Sequence, residues 1–128
     1  MRRRVVRALF LVLIGCAVLG LLYRDIVMAS MTRNPIPPSA QSITQGRALF
    51  HQNCEACHGV EGRGDGPVAA SLALRPEDLT SIWPSPYFPD GMLAYRILND
   101  GKVMPAWKSV ISTMDVWHLV NFIRAQHH

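Results

Sequence analysis

Two cysteines and a histidine stand together at Cys54-Glu55-Ala56-Cys57-His58. On a helix, positions three and four apart share one face, so Cys54, Cys57 and His58 would point the same way. Two thiols on one face can bond to two vinyl groups along a porphyrin edge. The imidazole beside them can then reach the iron. This is the physical content of the C-x-x-C-H signal for covalent attachment of a c-type haem. Competing uses need partners that the sequence lacks. A zinc site takes four protein ligands, or three and a water. Here there is no second cysteine pair, and Cys16 lies in an apolar run. A thioredoxin-like pair belongs in a βαβ setting, and no strand pattern supplies one. A disulfide framework needs more cysteines at wider spacings.

His58 fills one axial position of such a haem and leaves a sixth. Met92, Met104, Met114, His51 and His118 are the candidates. Met104 is preferred, because Pro105 disfavours helix at the residue before it and so puts the thioether in a loop. Met92 and Met114 fall near helix starts, where core packing or its edge is the simpler role. His51 reads as a solvated side chain one turn before Cys54, and His118 as part of the polar side of the last helix.

The elements that must position these groups are helical. Thr44 is an N-cap candidate for a helix running through Gln45 to Cys54. Asp90 is an N-cap candidate for a helix over residues 91–100, closed by Gly101. A last helix is expected from Ser112 or Thr113. There Val116, Leu119, Val120 and Ile123 repeat at helical spacing with Trp117 and Phe122 alongside. This stripe should pack on Phe50, with Gly46 allowing close approach. Between the motif and these helices, Gly59, Gly62, Gly64 and Gly66 either let the chain approach the porphyrin or form an ordinary turn. Arg75 is either a charge-assisted donor to a haem propionate or a solvated surface arginine. Trp83, Tyr87 and Trp107 are candidates for lining the haem or donating to its propionates.

Residues 44–126 resemble the class I c-type cytochromes, in particular small bacterial single-haem domains. The resemblance rests on Gly46 and Phe50, and on Cys54-Glu55-Ala56-Cys57-His58-Gly59. It continues through Gly62-Arg63-Gly64-Asp65-Gly66-Pro67, Arg75-Pro76-Glu77-Asp78-Leu79-Thr80 and Met104-Pro105-Ala106-Trp107, and a final amphipathic helix. It implies an all-α fold, with helices wrapped around one covalently bound haem c, His58 proximal and Met104 distal. It also implies that the Pro67 carbonyl accepts the His58 Nδ1 proton, a bond that fixes the ring and raises its basicity.

The N-terminal segment lies outside that resemblance. Ala8 to Tyr23 holds sixteen residues without a charge, after Arg2, Arg3, Arg4 and Arg7. Positive charge before a first span keeps the N-terminus cytoplasmic and exports the rest. The favoured reading of 1–28 is a retained transmembrane anchor. A signal peptide cut after Ala29 and a lipoprotein modified at Cys16, in Leu13-Ile14-Gly15-Cys16, are the alternatives. Residues 29–43, rich in proline, read as an extended tether with a reach on the order of 40 Å, and 44–128 as the haem domain.

The formal charge of +4 belongs to the leader: from Pro35 onward there are seven Lys/Arg against eight Asp/Glu. The domain therefore lacks the basic face that nucleic-acid binding requires. With both axial positions filled, substrate cannot reach the iron, and thioether ligation raises the potential. The expectation is an electron carrier and not an enzyme. It would work on the periplasmic or extracytoplasmic side of a membrane, between redox proteins of a respiratory or photosynthetic chain. The alternatives are a fixed haem subunit of a larger oxidoreductase and a ligand-binding or catalytic haem protein with an open sixth site.

Overall fold

The apolar leader contains no proline and no charge between Ala8 and Tyr23, and it forms one long helix. In the computed structural model, which describes residues 2–82 and 88–126, α1 spans Arg2–Met31. Its 30 residues extend about 45 Å. None of them is buried, and the helix is long and apolar enough to cross a membrane.

Among the described residues four more α-helices follow: α2 (Ala40–Asn53), α3 (Glu55–His58), α4 (Asp90–Asn99) and α5 (Asp115–Ala125). Single 3₁₀ turns at Ala69–Ser71, Leu79–Ser81 and Trp107–Ser109 shape the loops between them. The domain is all-helical, in keeping with a class I cytochrome c fold.

Helix α2 starts five residues earlier than its sequence suggests. Pro37 and Pro38 keep the chain extended up to Ser39, which has the non-helical geometry of an N-cap and accepts from the Ser42 N–H. Thr44 sits inside the helix, where its hydroxyl donates to the Ala40 carbonyl at 2.8 Å. The segment between α1 and α2 is thus only residues 32–39, and it lies against the domain. Asn34 Nδ2 donates to the Trp117 carbonyl and to Asn121 Oδ1.

Helix α4 also departs from expectation at its start. Pro89 occupies the cap position and Asp90 the first turn, where its charge still opposes the helix dipole. The Asp90 carboxylate is held by Arg124 Nε at 2.8 Å, while the same guanidinium donates to the carbonyls of Ile82 and Phe88. Gly101, at φ +66°, turns the chain out of α4, as its position in the sequence suggests. Helix α5 begins three residues after Ser112, whose Oγ accepts the Asp115 N–H and donates to the Asp115 carboxylate. The two bonds pin the turn that leads into α5.

The core lies where α2 and α5 cross. A Cβ on Gly46 would stand 2.0 Å from the His118 carbonyl oxygen, so only glycine permits the crossing. Phe50, 1% exposed, meets Phe122 with ring centroids 5.2 Å apart. Val116, Leu119, Val120 and Ile123 form the buried stripe of α5, and Leu93 and Ile97 of α4 complete the cluster. His118 does not lie on a polar face: its Nδ1 is 2.9 Å from Ser42 Oγ on α2.

Candidate functional site

A cavity of about 430 Å³ opens between α2–α3 on one side and α4 with the following loop on the other. Its interior is apolar: Phe50, Leu79, Leu93, Ile97, Leu119 and Ile123 face it, with Ile82 and Phe88. Cys54, Cys57 and His58 line one wall and Met104 belongs to the same lining. Of the five candidates for the sixth position, only Met104 reaches this cavity. Met114 is 56% exposed, His51 pairs with Glu55 on the outer face, and His118 is turned onto α2. Met92 is partly buried on α4, away from the lining.

The first wall is set by a tight turn. Cys54 ends α2, and the His58 N–H bonds back to its carbonyl at 2.9 Å, which keeps Cys54, Cys57 and His58 within one helical turn. Burial, reinforced by Cys57 nearby, pushes the Cys54 thiol up to about 12, so it is neutral at pH 7. Burial likewise lowers the His58 pKa, against an opposing contribution from its bond to the Glu77 backbone. A carbonyl only accepts, so His58 Nδ1, 3.3 Å from the Glu77 oxygen, carries the proton. The lone pair of the neutral ring is then on Nε2, free to bind a metal.

That bond differs from the one the resemblance implies. The carbonyl facing His58 belongs to Glu77, not to Pro67. The reason lies in the glycine loop. Gly64 N–H donates to the His58 carbonyl, Gly66 N–H to Cys57 and Val68 N–H to Ala56. The loop is spent on satisfying the end of α3, which leaves Pro67 exposed at the surface. Gly64 adopts φ +72°, and a Cβ there would stand 2.2 Å from the Pro76 oxygen, so this packing requires glycine. The Leu79 N–H then bonds to the Gly62 carbonyl at 2.7 Å and carries Glu77 into place beside the histidine.

Arg75 and Trp107 both line the cavity. The Arg75 side chain is exposed, with Nε 3.5 Å from the Gly64 carbonyl. Trp107 opens the 3₁₀ turn that follows Met104. Trp83 and Tyr87 lie outside the described residues. Two polar groups escaped the sequence reading: Arg96 and Asp100, one turn apart on the cavity side of α4. The Arg96 guanidinium rests 5.7 Å from the Phe88 ring centroid. The signal was present, since Arg96 adjoins Ile97 and follows Leu93 by three, beside the apolar stripe.

A flat apolar group fits this donor set. Two thiols and an imidazole occupy one wall, a thioether stands in the same lining, and guanidinium groups at the rim suit acidic substituents. Among the described residues no cluster of His, Cys, Asp and Glu suits a bare metal ion.

The comparisons with known proteins agree. Residues 41–123 match the family described as cytochrome c oxidase, cbb3-type, subunit III. The chain is 27% identical over 96 residues to the cbb3-type cytochrome c oxidase subunit FixP of Sinorhizobium medicae, covering 75% of this chain and 31% of that one. It is 24% identical over 113 residues to cytochrome c550 of Pseudomonas aeruginosa, covering 88% and 73%. A reducing HAO-like protein complex of Kuenenia stuttgartiensis contains a chain that matches with TM-score 0.64 and 25% identity, over 73% of this chain and 47% of that one. The chain thus spans under a third of the FixP relative and about half of the matched structure. With a covalent haem motif at the wall of an apolar cavity in an all-helical domain, the chain belongs to the cbb3-type subunit III family of c-type cytochromes, as a small member with an N-terminal apolar helix.

Proposed function

We propose that this chain is a membrane-anchored electron carrier with His58 and Met104 as axial ligands, Cys54 and Cys57 holding the haem by thioether bonds, and its haem domain on the outer face of the membrane. One observation carries the reading: a single apolar cavity gathers these four side chains and leaves every rival ligand elsewhere. When bound, the haem supplies an iron that gains and loses one electron.

The chain's own residues do the rest. The Glu77 carbonyl holds His58 in the tautomer whose Nε2 binds, and increases its donor strength. Met104 would hold the haem iron from the side opposite His58, which would leave substrate no route to the metal, and its thioether would raise the potential. Phe50, Leu93 and Ile97 keep water away, which limits solvent reorganisation as charge changes. Arg75, Arg96 and Trp107 form the polar rim that takes the propionates.

Orientation follows from the leader. The arginines in the first two turns of α1 keep that end cytoplasmic, and the haem domain is then exported. A second reading is favoured by the names of the FixP relatives, which are oxidase subunits: a fixed haem subunit of a larger membrane oxidoreductase. Gentle detergent purification separates the two, since subunits co-purifying in constant ratio favour the complex.

Ligand substitution tests the axial pair. Met104→Ala, reduced, should bind carbon monoxide rapidly, whereas Met92→Ala and Met114→Ala should not. Rapid binding by either control, or none by Met104→Ala, would overturn the assignment.

A further inference from the structure

The segment between anchor and haem domain, read from composition, is a loose tether. Its contacts describe something else. Asn34 Nδ2 donates to the Trp117 carbonyl at 3.3 Å and to Asn121 Oδ1 at 2.8 Å, while Asn34 Oδ1 accepts the Ile36 N–H at 2.9 Å. Asn121 Nδ2 donates in return to the Ile36 carbonyl at 3.0 Å and to Ser42 Oγ at 2.8 Å. The Ser42 hydroxyl is also hydrogen-bonded with His118 Nδ1, at 2.9 Å. Asn121 is 5% exposed and Ser42 2%. A buried polar network with every member satisfied is rigid and specific, and losing one member leaves the others unpaired. Asn34 and Ile36 belong to the strap, Ser42 on α2 and Asn121 on α5 to the body.

A second contact lies nearer the membrane. Gly91, in the first turn of α4, is buried against the last turn of α1. A Cβ there would stand 2.1 Å from the Ala29 carbonyl and 2.5 Å from that of Thr32. Glycine is thus a notch that admits the end of the anchor helix. Pro35, Pro37 and Pro38 stiffen the eight residues between α1 and α2.

We infer that residues 29–36 strap the haem domain onto the outer end of α1, so that anchor and domain move as one body and the cavity stands at a fixed height and angle above the membrane. The inference rests on the reading of α1 as a retained anchor. It specifies the partner: a redox protein whose docking face is held at the membrane surface within that short height, not one visited by a swing of tens of ångströms. The strap also gives the C-terminal turn of α1 a role that a discarded leader would not have.

The test uses the full-length holoprotein in lipid nanodiscs. A nitroxide on Ser30→Cys, with Cys16→Ser to leave one thiol, is placed beside Gly91, and its distance to the ferric haem is read by dipolar spectroscopy. A narrow distance distribution is expected; a broad one, as for a free tether, overturns the strap. In parallel, trypsin cleavage after the exposed Arg33 should be slow in the wild type. It should rise at least about tenfold in Asn34→Ala and in Gly91→Ala, which loosen the strap from its two ends. Wild-type cleavage as fast as in the variants also overturns it. The distance measurement needs neither variant, so a variant that misfolds does not decide the matter. The absorption spectrum reports the axial ligands independently: its failure would sink the His58–Met104 pair and leave the strap intact.

Discussion

At the scale of single residues, Cys54 and Cys57 are the pair on which the proposed covalent attachment rests. The Cys54 thiol, pushed up to about 12 by burial and then by Cys57, stays neutral at physiological pH. The proposed attachment is by thioether bonds, one to each cysteine. Replacing both Cys54 and Cys57 by serine should release the haem into acidified organic solvent, whereas the wild type keeps it through denaturation. A haem-stained band persisting in the double variant would contradict covalent attachment at these positions. The rim arginines act on the potential. A guanidinium beside the haem favours the reduced, less positive state, so Arg75→Gln and Arg96→Gln should each lower the midpoint potential by tens of millivolts. An unchanged potential in both would remove them from the propionate site. That Cys54, Cys57, His58 and Met104 share one cavity lining was legible in the sequence, because it depends on local spacing and on one Met-Pro loop. Glu77 was not. It contributes a backbone carbonyl, which no residue type announces, and its delivery depends on how the glycine loop folds back on α3.

Among the elements, the crossing of α2 and α5 holds most of the core. Gly46→Ala would drive a Cβ into the His118 carbonyl, 2.0 Å away, and should cost about 2–3 kcal/mol of unfolding free energy in denaturant titrations. Phe50→Ala empties a site 1% exposed and should cost about 3–5 kcal/mol. The 3₁₀ turn Leu79–Ser81 adds a pH-dependent contribution. Thr80, through its hydroxyl and its backbone N–H, holds the Asp78 carboxyl below its ordinary value. A lowered folded-state value means that the stabilisation is complete above the unfolded carboxylate pKa and is lost as pH falls through the lowered one. Asp78→Asn should therefore flatten the acid limb of the stability profile and leave the alkaline limb unchanged; equal acid limbs would exclude this role. The α5 stripe and the Gly101 stop were readable as patterns of one element. The starts of α2 and α4 were not. Ser39, Ser42 and Thr44 are chemically equivalent caps, and Asp90 serves Arg124 across 34 residues. Local preference cannot rank such choices when a distant partner decides them.

The whole molecule is a basic apolar helix joined to a slightly acidic domain, and that division was plain from the distribution of charge. The strap was not, because Asn34 meets Trp117 and Asn121 across 83 and 87 residues, and a proline-rich segment reads as a tether until its partners are known. Retention of α1 predicts that the purified holoprotein has the mass of the full chain plus one haem, without loss of residues up to Ala29 and without lipid on Cys16. A mass lacking the leader would assign it to export only. A closed iron, bound by His58 and Met104, remains the claim on which the electron-transfer account depends. The absorption spectrum of the oxidised wild-type protein tests it most directly. The account predicts a methionine-to-iron charge-transfer band, and no rapid carbon monoxide binding after reduction. An absent band, with carbon monoxide taken up at once, would show an open sixth site and contradict it.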